Sequence, residues 1–168
     1  MANKHVVTEV VTRQPSECSS QEIRQFRILL LKSREVTQVG VHNRILRASQ
    51  LSWATSDTQM VAIAALKVPY KQYKRSVFEK AKKIHKQDLY PLEFGWMFVM
   101  EPFRRQGIAK RLLEALLASI DSVNVFATSR ELNDPIVPLL KHSGFEKFGD
   151  SFPSARDEYN IVLWIRNA

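Results

Sequence analysis

The chain has 168 residues, of which 45% are hydrophobic and 25% charged, with one cysteine and a formal net charge of +8. This length and composition exclude a disordered chain and predict a single domain over residues 1–168 with a full core. The lone Cys18 excludes an internal disulfide and gives no sign of secretion. The sequence shows no signal peptide and no apolar run long enough to span a bilayer, so we expect a soluble, cytoplasmic protein without a membrane contact.

The first part of the chain contains sequence patterns typical of both strands and helices. Clusters of β-branched and aromatic residues predict strands. Ser19 and Glu22 match a capping box, which predicts the start of the first helix. The predicted elements are a strand at 5–12, helices at 19–32 and about 37–47, and an antiparallel pair of strands at 50–57 and 60–68.

The positive charge is concentrated in residues 67–86, which contain eight lysines and arginines and one glutamate. The remaining residues are close to neutral in sum. Tyr73, Val77, Ala81 and Ile84 recur at helical spacing, which predicts an amphipathic helix in this basic segment. Its basic side attracts an acidic partner or is only a solvated face, and both interpretations stay open.

The second part of the chain centres on a strand–helix–strand pattern. Residues 92–100 are almost continuously apolar, which predicts a central strand buried on both faces. Gly95 within it indicates a bulge or a close approach of another group to the backbone. The other predicted elements are helices at about 104–120 and 133–145 and strands at 123–128, 145–150 and 158–166. This mixed order predicts an α/β fold of three layers.

Residues 104–110, RRQGIAK, combine a glycine with basic residues at the start of a predicted helix. The first turn of a helix has unpaired N–H groups and partial positive charge, so an anion placed there accepts several hydrogen bonds. Gly107 lets the backbone approach closely, and Arg104, Arg105 and Lys110 add positive charge. The pattern predicts a phosphate-binding turn, and a loop glycine before a charged helix is the structural alternative.

The segment RRQGIA (104–109) resembles the R/Q-x-x-G-x-G/A motif of the GNAT superfamily of acetyl-CoA-dependent N-acetyltransferases. Asn133 and the segment LLKHSGF (139–145) resemble the second conserved block of that superfamily. The strand order also resembles the GNAT fold, from about residue 5 to the end. The resemblance implies a GNAT-like α/β (α+β) fold, with a mostly antiparallel sheet of six to seven strands flanked by helices, and acetyl-CoA as co-substrate.

The resemblance also assigns roles to individual residues. In GNAT proteins the amides of this loop hold the CoA pyrophosphate, and the preceding strand pairs with the pantetheine arm and the acetyl group. The N–H of Val99 is the implied oxyanion donor and Glu93 the candidate general base, with a strand-end glutamate paired to a lysine as the structural alternative for Glu93. The implied CoA-binding residues are Phe98, Val99, Met100, Arg104, Arg105, Gln106, Gly107, Ile108, Ala109, Lys110 and Asn133.

The sequence departs from the family pattern at the general acid. A tyrosine is usual four residues before the closing Gly-Phe, and Leu140 stands there in this chain. The acid is then another tyrosine such as Tyr159, a water molecule, or no group at all. His142 is close by but more typical of a surface position. The four histidines have no metal-ligand spacing, so we predict no metal. The three tryptophans fall in predicted strands, which favours core positions over base stacking.

Two functions follow from these residues. The first is an N-acetyltransferase that moves an acetyl group from acetyl-CoA, by direct transfer in a ternary complex, to a primary amine of a small molecule or protein. The second is a CoA-binding module with reduced catalysis, or a nucleic-acid-associated module that uses residues 67–86. Phosphate contacts would make the last of these steeply salt-dependent. The resemblance leaves a homodimer open, since GNAT dimers are common.

Overall fold

The computed structural model describes residues 9–132 and 134–168. Within this part of the chain, no helix combines the length and the apolar character needed to cross a membrane. The chain divides into two compact units: the first contains residues up to Lys67 together with 95–120, and the second contains 68–94 together with 121–168. The single domain expected over residues 1–168 stays a prediction.

The described elements are a mixture of strands and helices. In chain order they are β1 (Glu9–Arg13), α1 (Ser20–Lys32), α2 (Val41–Leu46), β2 (Gln50–Ser56), β3 (Gln59–Lys67), α3 (Lys71–Lys80), β4 (Leu92–Val99), α4 (Ile108–Ala118), β5 (Val125–Arg130), α5 (Ile136–His142), β6 (Glu146–Lys147), β7 (Phe152–Pro153) and β8 (Asn160–Arg166). Short 3-10 turns lie at Pro15–Glu17, Ile84–Leu89 and Glu101–Phe103.

The strands form one sheet in the order β1-β2-β3-β4-β5-β8-β6, with β7 also paired to β8. β4 and β5 are parallel. β1 and β2, β2 and β3, and the three partners of β8 are antiparallel. The predicted mixed, mostly antiparallel α/β fold is therefore confirmed. Within the described residues the sheet has eight strands rather than six to seven. The two-residue strand β7 is too short to leave a pattern in the sequence, whereas β6 falls within the strand predicted at 145–150.

In the first unit, alternate residues of β2 and β3 pack against α1, as the two-residue period of a strand requires. The predicted capping box is present at the start of α1: Glu22 N–H donates to Ser19 Oγ (3.1 Å) and Ser19 N–H to Glu22 Oε2 (2.7 Å). α4 contacts β1, β2 and β3 and buries its leucine stripe. Its predicted range of 104–120 was too long at both ends, because residues 104–107 form a separate turn.

In the second unit, α3 packs Val77 and Phe78 against an apolar face made by β5 and β8. The predicted basic helix is shorter than the basic segment. Lys82 adopts a left-handed backbone (φ 58°), so the chain turns after α3, and Ile84 begins a 3-10 turn instead of extending the helical stripe.

Strand β4 contributes residues to both units and is irregular at its middle. Trp96 has a left-handed backbone (φ 55°), and a Cβ added at Gly95 would lie 2.8 Å from Cε of Lys67. The predicted close approach at Gly95 is therefore present, and the backbone irregularity falls one residue later. The prediction of burial on both faces was wrong beyond Phe94, because the rest of the strand is only half-buried.

Candidate functional site

The turn that precedes α4 contains two left-handed residues, Arg105 (φ 60°) and Gly107 (φ 74°). Gly107 is the N-cap of α4, and no side chain caps this helix. The N–H groups of the first turn of α4 therefore have no capping acceptor. A Cβ added at Gly107 would meet no heavy atom within 4 Å, so the backbone at this helix end is open to a ligand.

The side chains of this turn make it basic and hold it to the end of β4. Arg104 Nε donates to the carbonyl of Val99 (2.9 Å), and its guanidinium lies 6.0 Å from the ring centre of Phe98. Gln106 Nε2 donates to the carbonyl of Pro102 (3.1 Å). Arg104 and Arg105 are exposed. Lys110 lies 3.7 Å from Glu114 in a solvent-exposed pair, so the carboxylate of Glu114 partly compensates the positive charge of Lys110.

The backbone groups at the end of β4 differ in whether they are already hydrogen-bonded. Met100 N–H donates to the carbonyl of Val61 (2.9 Å), and the carbonyl of Met100 accepts from Phe103 N–H (2.9 Å). Adjacent residues of a strand direct their N–H groups to opposite edges, so the N–H of Val99 points away from β3. Among the three strand residues predicted to contact acetyl-CoA, Met100 is therefore the least suited, and Val99 is suited to donate to a ligand.

Glu93 lies in the second unit and is buried, with 2% of its surface exposed. It stands opposite Phe126 in the parallel register of β4 and β5, so both side chains share the sheet face that packs against α3. Tyr73, in the first turn of α3, donates from its hydroxyl to Glu93 Oε1 (2.8 Å). Thr128, two residues after Phe126, also hydrogen-bonds to Tyr73. α3, β4 and β5 thus place three polar side chains together on an otherwise apolar face.

The surroundings of Tyr73 keep its hydroxyl protonated. Burial of the hydroxyl, the negative charge of Glu93 and the hydrogen bond to that carboxylate raise the pKa of Tyr73 well above its ordinary value of 10.0, and the hydrogen bond with Thr128 acts in the opposite direction. Tyr73 is 42% exposed as a residue. Its hydroxyl is nevertheless buried beside Glu93. Near neutral pH Tyr73 is a neutral hydrogen-bond donor.

The sequence did not single out Tyr73 as a functional residue. It appeared there only as one member of the apolar stripe of a basic helix. The available signal was weak: a tyrosine one turn before the buried Val77, which puts a hydroxyl at the edge of the packed face. Its partner Glu93 is twenty residues away, so no local spacing connects the two.

Several other predicted residues belong neither to the turn before α4 and the end of β4 nor to the cluster of Glu93, Tyr73 and Thr128. Leu140 is fully buried in α5 and belongs to the core. The ring of Tyr159 lies 4.6 Å from the guanidinium of Arg130, and His142 is exposed at the end of α5. Asn133 lies outside the described residues. Trp53, Trp96 and Trp164 all lie in strands, and Trp53 and Trp164 are buried there as predicted.

The basic segment 67–86 is divided between the two units. Lys67 ends β3 in the first unit, 5.7 Å from the ring centre of Trp96. Lys82 pairs with Asp150 (2.9 Å), and Lys83 lies 5.0 Å from the ring centre of Phe148. Three basic residues near the start of α3 form no ion pair within the described part of the chain. They are Lys71, Lys74 and Arg75.

A cavity of about 290 Å³ lies in the first unit, where β1 and β2 meet the start of α1. Its charged lining includes Arg13 and Glu22, which pair with each other at 3.1 Å. None of the predicted site residues lines it. Across residues 9–132 and 134–168, no cluster of three or more His, Cys, Asp or Glu side chains has the arrangement of a metal site.

Comparisons with known proteins identify the family and the fold. The model of a family described as "Acetyltransferase (GNAT) family" matches residues 47–145. No curated protein matches the sequence. Escherichia coli ElaA has a TM-score of 0.70 at 14% identity, over 95% of this chain and 99% of that chain. Arabidopsis thaliana NAA60 in complex with acetyl-CoA has a TM-score of 0.69 at 14% identity, over 95% and 100%. The ribosomal-protein-S18-alanine N-acetyltransferase from Escherichia coli has a TM-score of 0.65 at 13% identity, over 95% and 94%. At such identities these structures share the fold with this chain.

Proposed function

The chain belongs to the acetyltransferase (GNAT) family, and from that premise we propose that it transfers an acetyl group from acetyl-CoA directly to a primary amine in a ternary complex. The family assignment confirms the resemblance predicted from RRQGIA and makes the protein an acyltransferase. One observation carries the proposal: a basic, left-handed glycine turn opens α4 without a capping side chain.

This turn has the properties that a pyrophosphate requires. The helix start presents N–H groups without a capping acceptor, Gly107 leaves its surface open, and two exposed arginines supply positive charge. We assign the pyrophosphate to residues 105–110, with Arg104 at the beginning of the turn. We assign the pantetheine arm to Phe98 and Val99, with Met100 contributing less because its backbone groups are already paired. Asn133 stays a proposed contact.

The chain's own residues would perform two tasks during transfer. Bound acetyl-CoA supplies the thioester carbonyl that the amine attacks. Glu93 would accept the proton that the amine loses, because a carboxylate is a competent base once the amine is held beside it. The N–H of Val99 would stabilise the negative charge that develops on the acetyl oxygen. We assign no general acid, since a thiolate is a tolerable leaving group and Leu140 is a core residue.

The start of α3 favours one class of acceptor. Lys71, Lys74 and Arg75 flank Tyr73 along the chain, and Tyr73 contacts Glu93. An amine that reached Glu93 along this helix would approach three basic side chains that form no ion pair within the described residues. We therefore propose an acceptor with negative charge near its amine, on a small molecule or an acidic protein. Replacing Lys74 and Arg75 by glutamine should raise KM for such an acceptor and leave KM for an uncharged one unchanged.

The first test is the melting temperature with and without acetyl-CoA. A ligand at about 100 times its Kd stabilises by roughly 2.7 kcal/mol, which corresponds to a shift of roughly 5–10 °C for a protein of this size. The absence of a shift would remove the turn from the site. The second test is the release of free thiol from acetyl-CoA with a panel of amino acids, polyamines and short peptides. No turnover beside clear binding would favour the CoA-binding module instead.

The base assignment has its own test. Glu93→Gln should lower kcat by about 100-fold or more, because general base catalysis is worth about that much, with acetyl-CoA affinity unchanged. Glu79→Gln removes a carboxylate from the exposed side of α3 and is the control. Full activity in Glu93→Gln would refute the base assignment while leaving the acetyl-CoA turn in place.

A further inference from the structure

We propose that Tyr73 is a positioning residue of the acetyl transfer and acts through the hydrogen bond from its hydroxyl to Oε1 of Glu93 (2.8 Å). The inference rests on the proposed function, because it takes Glu93 as the general base. It adds a residue from α3 to Glu93 of β4, and both residues lie in the second unit.

The carboxylate side chain of Glu93 is buried in the sheet. The sheet face that packs against α3 is apolar around it, with Phe126, Leu163 and Ile165 from β5 and β8. A buried carboxylate is unfavourable unless donors reach it. An apolar residue would suit position 93 better than glutamate if packing were its only task. The hydroxyl of Tyr73 supplies a donor that makes the charged side chain tolerable there.

Tyr73 is suited to orient Glu93 and not to transfer a proton itself. Its hydroxyl points its proton at Glu93, and burial together with the Glu93 charge raises the pKa of Tyr73, so it stays protonated near neutral pH. A phenol in this state does not accept the proton of an amine, and it is a poor acid for a thiolate. Its effect on the reaction therefore passes through the carboxylate, whose orientation it fixes before the amine arrives.

Helix α3 holds the Tyr73 hydroxyl in a fixed place. Val77 and Phe78 are buried one turn further along α3. The ring of Phe78 packs against those of Tyr90 (centres 5.8 Å apart) and Phe126 (5.3 Å). Because α3 is fixed by these contacts, the Tyr73 hydroxyl is presented by a rigid element and not by a loop.

The test compares two tyrosines that each lose one hydroxyl. Tyr73→Phe removes the donor to Glu93. Tyr90→Phe is the matched control, because the Tyr90 hydroxyl donates to Oδ1 of Asn167 over the same 2.8 Å. We expect Tyr73→Phe to lower kcat about tenfold, as for loss of a hydrogen bond to a charged group, with the calorimetric Kd of acetyl-CoA unchanged. Tyr90→Phe should keep kcat within about twofold of the parent, although both variants lose thermal stability.

A double-variant cycle separates positioning from a general structural effect. If Tyr73 acts through Glu93, then adding Tyr73→Phe to Glu93→Gln should lower kcat no further. A second loss of about tenfold in that background, or a Tyr73→Phe enzyme as fast as the parent, would overturn the inference while the parent's turnover leaves the proposed function intact. A parent protein that releases no thiol from acetyl-CoA with any amine of the panel would instead refute the proposed function, and the inference with it.

Discussion

Substitutions at Gly107 should separate the two properties of the glycine turn, its left-handed backbone and its open surface. Gly107 has a φ of 74°, and an added Cβ would meet no heavy atom within 4 Å. Gly107→Ala therefore costs stability only through the backbone, about 1–2 kcal/mol. For a protein of this size that lowers Tm by roughly 2–8 °C. Gly107→Asn should cost less, because asparagine tolerates this conformation better.

Binding of acetyl-CoA should respond more strongly than stability does. Gly107→Glu adds a negative charge beside the proposed pyrophosphate site. Two like charges about 4 Å apart repel by about 1 kcal/mol in bulk water and about 4 kcal/mol at the effective dielectric of a protein surface. The Kd for acetyl-CoA should therefore rise roughly 5- to 1000-fold. Gly107→Asn should weaken binding as well, because its side chain occupies the surface on which the backbone would meet the phosphates.

The chain contains a matched control for this series. Gly40 is also the left-handed N-cap of a helix (φ 69°), and an added Cβ there would also meet nothing within 4 Å. Gly40→Glu should lower Tm about as much as Gly107→Glu and leave the Kd unchanged. Isothermal titration with acetyl-CoA measures the Kd of all four variants. A Gly107→Glu protein that binds within twofold of the parent would show that the turn is a plain helix start.

Three further predictions concern stability. Gly149→Ala should lower Tm by roughly 5 °C or more, because the position is left-handed (φ 80°) and the new Cβ would collide with the carbonyl oxygen of Ala81; an unchanged Tm in calorimetry would contradict this. Ser129→Ala should cost about 1–3 kcal/mol in urea unfolding, because Trp164 Nε1 donates to Ser129 Oγ (2.8 Å) in the core and would lose its acceptor; a smaller loss would mean that the indole finds another partner. Above the ordinary tyrosine pKa of 10.0, the parent should lose stability relative to Tyr73→Phe. The native state holds the Tyr73 proton more tightly than the unfolded chain does, so the contribution is complete below that pH and disappears as the pH rises through the native pKa. Parallel stability curves for the two proteins between about pH 8 and 11 would contradict the raised pKa.

The sequence predicted elements well where a periodic pattern and a boundary signal coincide. The capping box of Ser19 and Glu22 located the start of α1, and the leucine stripe located α4. Boundaries failed where the chain reverses at a residue that gives no turn signal. Lys82 ends the α3 region in a left-handed conformation (φ 58°), although lysine is not a residue type that indicates this backbone.

The candidate site likewise has one part that the sequence could predict and one part that it could not. The turn before α4 is continuous in sequence, so its glycine and arginines could be recognised together. The hydrogen bond between Tyr73 and Glu93 joins residues twenty positions apart and exists only because α3 packs on the face of β4 and β5 that carries Glu93. Such a contact depends on which sheet face a helix covers, and local composition holds no information about that choice.

Helix α3 is attached to the rest of the second unit at both of its ends. At the far end Asp150 N–H donates to the carbonyl of Ala81 (3.1 Å) and the Asp150 carboxylate meets Lys82 (2.9 Å) in a solvent-exposed pair. At the near end Tyr73 contacts Glu93. The two attachments, at Tyr73 and Ala81, are eight residues apart, which is about 12 Å along a helix. Dissolved ions screen the exposed pair far more than the buried hydrogen bond. Because buried contacts fix α3, we expect added salt to loosen the exposed pair and to leave the contact between Tyr73 and Glu93 in place. Turnover of an uncharged acceptor should therefore change little with ionic strength, in the parent and in Asp150→Asn alike.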